Sequence, residues 1–190
     1  MISIQNKVVR PALMMASALS AVAIFGLCST AQAEDKQALI DSALSAAPSH
    51  IAATAKVMTM KGKVLKEGTG PYTCFPYEGT GTSPMCLDPE WMRWADAWMN
   101  KKDFKPSKVA FAYMLAGDMP DAGASNIDPF ATAATPDNHW VVEGPHVMML
   151  VPDSAALESV STDHTTGEPY LMWKGTPYAH IMMPTGPRAK

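Results

Sequence analysis

The sequence predicts an α+β fold, with a mainly antiparallel sheet, an amphipathic Trp-rich helix packed on it, and a single domain. Three observations carry this. Residues 89–101 hold the clearest helical periodicity, with Trp91, Trp94 and Trp98 on one stripe. Short apolar stretches alternate with clusters of Gly, Pro, Asp and Asn through the remainder. Helical and strand-like segments do not alternate with the regularity that a parallel βαβ sheet requires. The 190 residues are 47% hydrophobic and 17% charged, which is too apolar for a disordered chain and too short for two ordinary domains. A formal charge of −3 lacks the basic footprint of a nucleic-acid binder.

The N-terminal segment reads as an export signal. Lys7 and Arg10 make a basic start, residues 12–33 carry no charge, and Ala31-Gln32-Ala33 is a small-x-small processing site before Glu34-Asp35-Lys36. Residues 1–33 are therefore expected to be a cleaved signal peptide and residues 34–190 the domain, with an uncleaved membrane anchor as the alternative. Cys28 follows Leu27, not the small residue that precedes a lipid-modified cysteine, and no Arg-Arg pair marks the twin-Arg route. Cleavage leaves 13 basic and 18 acidic residues, net −5, and residues 109–190 hold 9 acidic against 3 basic ones. Such a surface suits cations or polar ligands better than anionic membranes.

The elements follow in order. Asp35 is placed to cap a helix over 36–47, stopped by Pro48, and Ser49 to cap one more short turn. Residues 56–60 and 63–66 flank Lys61-Gly62 as a hairpin. Residues 68–71 form a loop that leads into the segment between the two remaining cysteines. Asp88 caps the Trp helix, Pro89 sits at its first position, and Trp91, Met92, Trp94, Ala95, Trp98 and Met99 fill one arc. Residues 108–115 alternate as a strand, with Ala110, Ala112 and Met114 on the face that a helix can approach. A long Gly/Pro/Asp/Asn-rich stretch, 117–137, precedes strands at 140–143 and 146–151. Asp153 caps a short helix over 154–160, and strands at 170–173 and 178–183 close the chain as a hairpin.

Cys74 and Cys86 form an even pair in an oxidising compartment and read as one disulfide enclosing an irregular, Gly- and Pro-containing loop. Their eleven-residue spacing is not that of a redox Cys-x-x-Cys pair.

One short echo carries the most specific chemistry. His146-Val147-Met148-Met149 and His180-Ile181-Met182-Met183 both lie in predicted strands. Residues i and i+2 share a strand face, so His146 projects with Met148 and His180 with Met182. Imidazole and thioether donors together suit Cu(I), which makes copper a candidate cofactor. The plainer reading is that methionine fills an irregular core and each histidine satisfies a local hydrogen bond. The three tryptophans likewise invite ligand stacking, but an aromatic face packed on a sheet explains them. Asp118, Asp121, Asn126 and Asp128 could offer oxygen ligands to Ca²⁺, yet they lack EF-hand spacing and serve equally as turn formers. His50, His139 and His164 fall in loops or near breaks, where solvent exposure is expected. No Gly-x-Ser-x-Gly, His-Glu-x-x-His or P-loop motif is present.

The run from Trp140 to Met149, the ending from Met172 to His180, Cys74, Met85-Cys86 and the segment from Ser125 to Phe130 resemble an uncharacterised family of small exported bacterial proteins. The resemblance implies export and one domain, and brings no activity or catalytic residues. The functional expectation is an exported, non-enzymatic protein of the periplasm or the exterior that binds a small ligand or an envelope protein. It has no nucleic-acid partner and no stable membrane insertion after cleavage. A Cu(I)-binding protein using His146, Met148, His180 and Met182 is the rival reading, and a hydrolase with a loop-built site comes third.

Overall fold

A computed structural model describes residues 24–79 and 81–188, with side chains from Glu34 onward. The expected signal peptide lies outside the described residues up to residue 23. Helix α1 (Ile24–Leu44) is longer at its start than the sequence suggests. Asp35 lies inside it and caps nothing, because continuing an existing proline-free helix costs less than starting a new one. Among the described side chains its packing begins at Leu39 and Ile40 and tightens at Ala43, Ala46 and Ala47. Pro48, not Ser49, occupies the N-cap of α2 (Ser49–Thr54), and no side chain caps it. No helix among the described residues is long and apolar enough to cross a membrane.

One eight-stranded sheet organises the rest. Its strands are β1 (Lys56–Met58), β2 (Val64–Lys66), β3 (Thr73–Phe75), β4 (Met85–Leu87), β5 (Ala110–Met114), β8 (His146–Leu150), β9 (Tyr170–Met172) and β10 (His180–Pro184). Their spatial order is β2-β1-β3-β4-β5-β8-β10-β9. Every pairing is antiparallel except β1 with β3. A separate ribbon pairs β6 (Ala124–Ser125) with β7 (Trp140–Val141). Helix α3 (Pro89–Met99) covers one face of the sheet, over a core that includes Trp91, Ala112, Leu150 and Tyr170. On the other face α1 packs over Val57, Cys74 and Cys86. A 3₁₀ turn (Ser154–Leu157) brings Leu157 onto Leu171 and Ile181 farther along. The architecture is α+β and a single domain.

The strands flanking the cysteines are absent from the sequence reading, which treats that segment as loop. Cys74 and Cys86 face each other directly across the β3–β4 ladder and are disulfide-bonded. Three residues per strand are too few to show alternation, and the cross-strand pairing supplies the order that the local pattern lacks. β6 is two residues long and was hidden for the same reason. The helix expected at 154–160 is only a 3₁₀ turn, capped by Asp153 as anticipated.

Candidate functional site

Helix α3 is fixed at both ends. Asp88 Oδ1 accepts the amides of Glu90 and Trp91 at 2.9 and 2.8 Å, and its Oδ2 accepts the amide of Phe111, tying the helix start to β5. At the other end, Lys102 N–H bonds to Ala97 O and Lys101 N–H to Trp98 O, with Lys101 at φ 53° where a glycine is usual. Glu90 is buried on the helix, which the apolar arc did not predict, and is satisfied by Arg93 and the Ser107 amide. Met99, assigned to that arc, is 59% exposed at the last position of the helix.

Beneath α3 the small residues Ala110 and Ala112 let the helix approach β5. Farther along, the sheet and helix separate around a cavity of about 390 Å³. Its aromatic wall comes from two elements. Trp94 and Trp98 of α3 lie nearly parallel to Trp173, with interplanar angles of 3° and 17° to it. Their indole N–H groups are bonded to backbone carbonyls, those of Tyr178, Pro129 and Ser125. Trp91 N–H, by contrast, is buried without an acceptor among the described residues. Trp173, at φ 58°, was not singled out from the sequence, since it stands at the end of a short strand far from the Trp helix.

Methionine dominates the remaining lining. Nine of the twelve methionines after residue 33 border this one cavity, although they are scattered through the sequence. Met60, at the β1–β2 turn, and Met99 are respectively 46% and 59% exposed and stand at its mouth.

The floor carries the echoed motif. In the β8–β10 ladder, Met148 faces Met182 and His146 faces Pro184. His146, Met148, His180 and Met182 therefore share one face, and all four line the cavity. Because the strands are antiparallel, the two His-x-Met units are related by a local two-fold axis through the Met148–Met182 pair. The methionines meet at the axis, and the histidines stand at opposite ends, separated by about 14 Å of strand rise. Each imidazole makes the same tether. His146 Nδ1–H donates to Gly144 O at 2.7 Å and His180 Nδ1–H to Tyr178 O at 2.9 Å, in each case the carbonyl two residues earlier. In a neutral ring this leaves Nε2 with its lone pair free. Burial pushes the His180 pKa down to about 4, against the Tyr178 hydrogen bond and aided by nearby His146. His180 also lies edge-on to Trp91, Trp94 and Trp173 at 5.1 to 5.4 Å between centroids.

The His146 end is more polar. Burial raises the Asp118 carboxyl above its ordinary range, opposed by the Glu143 amide and by His146 and Ser83. Glu143 is buried and fully engaged. Burial alone would raise it, but Arg188 at 3.0 and 2.7 Å, with the Tyr170 hydroxyl at 3.0 Å, holds it below its ordinary value. The acidic loop does not converge. Asp118 accepts the Glu143 amide, Asp121 the Tyr77 hydroxyl and Asp128 the Phe130 amide, while Asn126 donates to Thr162 O. No cluster of three or more His, Cys, Asp or Glu suited to a metal occurs among the described residues. His50 and His139 are exposed, whereas His164 is half-buried, its Nδ1 without a partner among the described residues.

No family model, curated protein or solved structure matches the chain.

Proposed function

We propose that the protein is an exported, non-enzymatic binding domain, and that its small ligand occupies the cavity beneath α3, held mainly by thioether and indole surfaces. The carrying observation is the cavity itself. Its volume of about 390 Å³ falls in the range of small-ligand sites, roughly 300–1,000 Å³, with apolar walls and few inward polar groups. Methionine walls adapt to an occupant, and rigid indoles give it a flat surface. The disulfide is compatible with an oxidising compartment, and the leader pattern supports export.

The test uses N-phenyl-1-naphthylamine, a neutral apolar fluorophore, titrated into the disulfide-intact protein. Saturable probe emission with matching quenching of tryptophan is expected. Ala95→Phe, which fills the cavity from α3, should weaken binding at least tenfold while near-ultraviolet circular dichroism still reports a packed Trp cluster. Non-saturable binding, or saturable binding that this variant leaves unchanged, would overturn the assignment.

A further inference from the structure

We infer that the cavity floor is a Cu(I) site in which the thioethers of Met148 and Met182 bracket the ion and the Nε2 atom of His146 or of His180, one at a time, completes a three-coordinate set. The inference rests on the cavity being the binding site, and it names the occupant. Three independent observations support it. The first is the register. A sequence echo in neighbouring antiparallel strands can pair in many ways, and here it pairs so that Met148 lies opposite Met182. Directly opposite residues have Cβ atoms about 5 Å apart, so two flexible thioethers can close on one ion. The second is the matching pair of Nδ1 tethers at His146 and His180. A backbone carbonyl on one ring nitrogen orients the other as a ligand, the usual support for a metal-bound histidine. The third is where the methionines gather. Sulfur that served only to fill a core would be shared among the three apolar clusters, yet nine of twelve methionines border this one space.

The donor set selects the ion. Thioethers are soft and uncharged, so they favour Cu(I) over Zn²⁺, Mg²⁺ or Ca²⁺, and they remain ligands at any pH. The surroundings suit a single positive charge. Asp118 stands near His146 at one end, and Trp94 and Trp173 line the other. Met60 and Met99 at the mouth extend the same soft chemistry to solvent, so the space above the floor is a thioether-lined passage.

The experiment is anaerobic competition for Cu(I) against bicinchoninate, with ascorbate as reductant so that the disulfide survives. The wild-type protein should withdraw one equivalent of Cu(I). Met148→Leu/Met182→Leu, which conserves volume, should weaken retention at least tenfold, and His146→Ala/His180→Ala should do the same. Met149→Leu, on the opposite face of the sheet, should change nothing. X-ray absorption of the loaded protein should show both sulfur and nitrogen neighbours. Equal retention by wild type and the Met148/Met182 variant would overturn the inference, as would a loss shared by Met149→Leu. If wild type leaves all its copper with the chelator yet binds N-phenyl-1-naphthylamine, the Cu(I) assignment falls and the cavity assignment stands. Failure of both titrations removes both.

Discussion

Arg188 reaches back from near the C-terminus to a carboxylate that burial alone would push toward its neutral form. Glu143 is 3% exposed, and its charge is held by Arg188, by the Tyr170 hydroxyl and by its neighbour's amide. Its folded pKa lies below the unfolded value of about 4.3. The pair therefore contributes fully above that pH, and the contribution is lost as pH falls through the folded value. Breaking a buried pair costs about 3–5 kcal/mol. Arg188 is itself about a third exposed, so Arg188→Ala should cost about 2 kcal/mol at pH 7 after allowance for solvent screening. In that variant burial dominates Glu143, its pKa rises, and part of the loss should be recovered between pH 7 and 5. Melting temperatures of both proteins at the two pH values check this. Buried neutral His180 makes the wild type itself lose stability as pH falls through about 6.5, so the variant-minus-wild-type difference is the readout, and a difference that does not shrink from pH 7 to 5 would exclude it. At this scale the sequence was informative where chemistry repeats locally. The His-x-Met echo was visible, but the Glu143–Arg188 pair, 45 residues apart, left no local pattern.

Among the elements, α3 was legible almost to the residue, because cap, first-turn proline and stripe all agreed. Its anchor is Trp91, fully buried against the sheet. Trp91→Ala should cost about 3–5 kcal/mol, as measured by urea denaturation, through lost burial and the space left behind. The β3–β4 hairpin was illegible because three-residue strands have no period to read, although its disulfide was predicted from count and compartment. The bridge joins residues 12 apart, both with no exposure. Reduction should lower stability by about 3 kcal/mol on the chain-entropy account. In the native protein both sulfurs should resist alkylation until unfolding and reduction together expose them, and mass spectrometry after iodoacetamide counts the modified thiols.

For the molecule as a whole, the mainly antiparallel sheet followed from many short apolar stretches with turn signals between them. The gathering of methionines did not, since they lie on β1, β4, α3, β5, β8, β9, β10 and intervening loops, and only strand order brings them together. The described packing of α1 starts at Leu39, five residues beyond Glu34. A chain beginning at Glu34 retains all of that packing and should therefore melt within about 2 °C of the 190-residue chain. Differential scanning calorimetry of the two decides it, and a larger drop would show that residues 1–33 contribute to the fold. The position of β8 also bears on how fast the fold forms. The hairpins β1–β2, β3–β4 and β9–β10 close over short spans, whereas β5 meets β8 only after a 31-residue excursion from Leu115 to Pro145. Loop-closure entropy must be met before that pairing returns any energy, so joining the two halves of the sheet is expected to be the slow step of folding. That step also brings the β8–β10 floor under α3, so refolding rate and the gain of a binding-competent site should share one time constant.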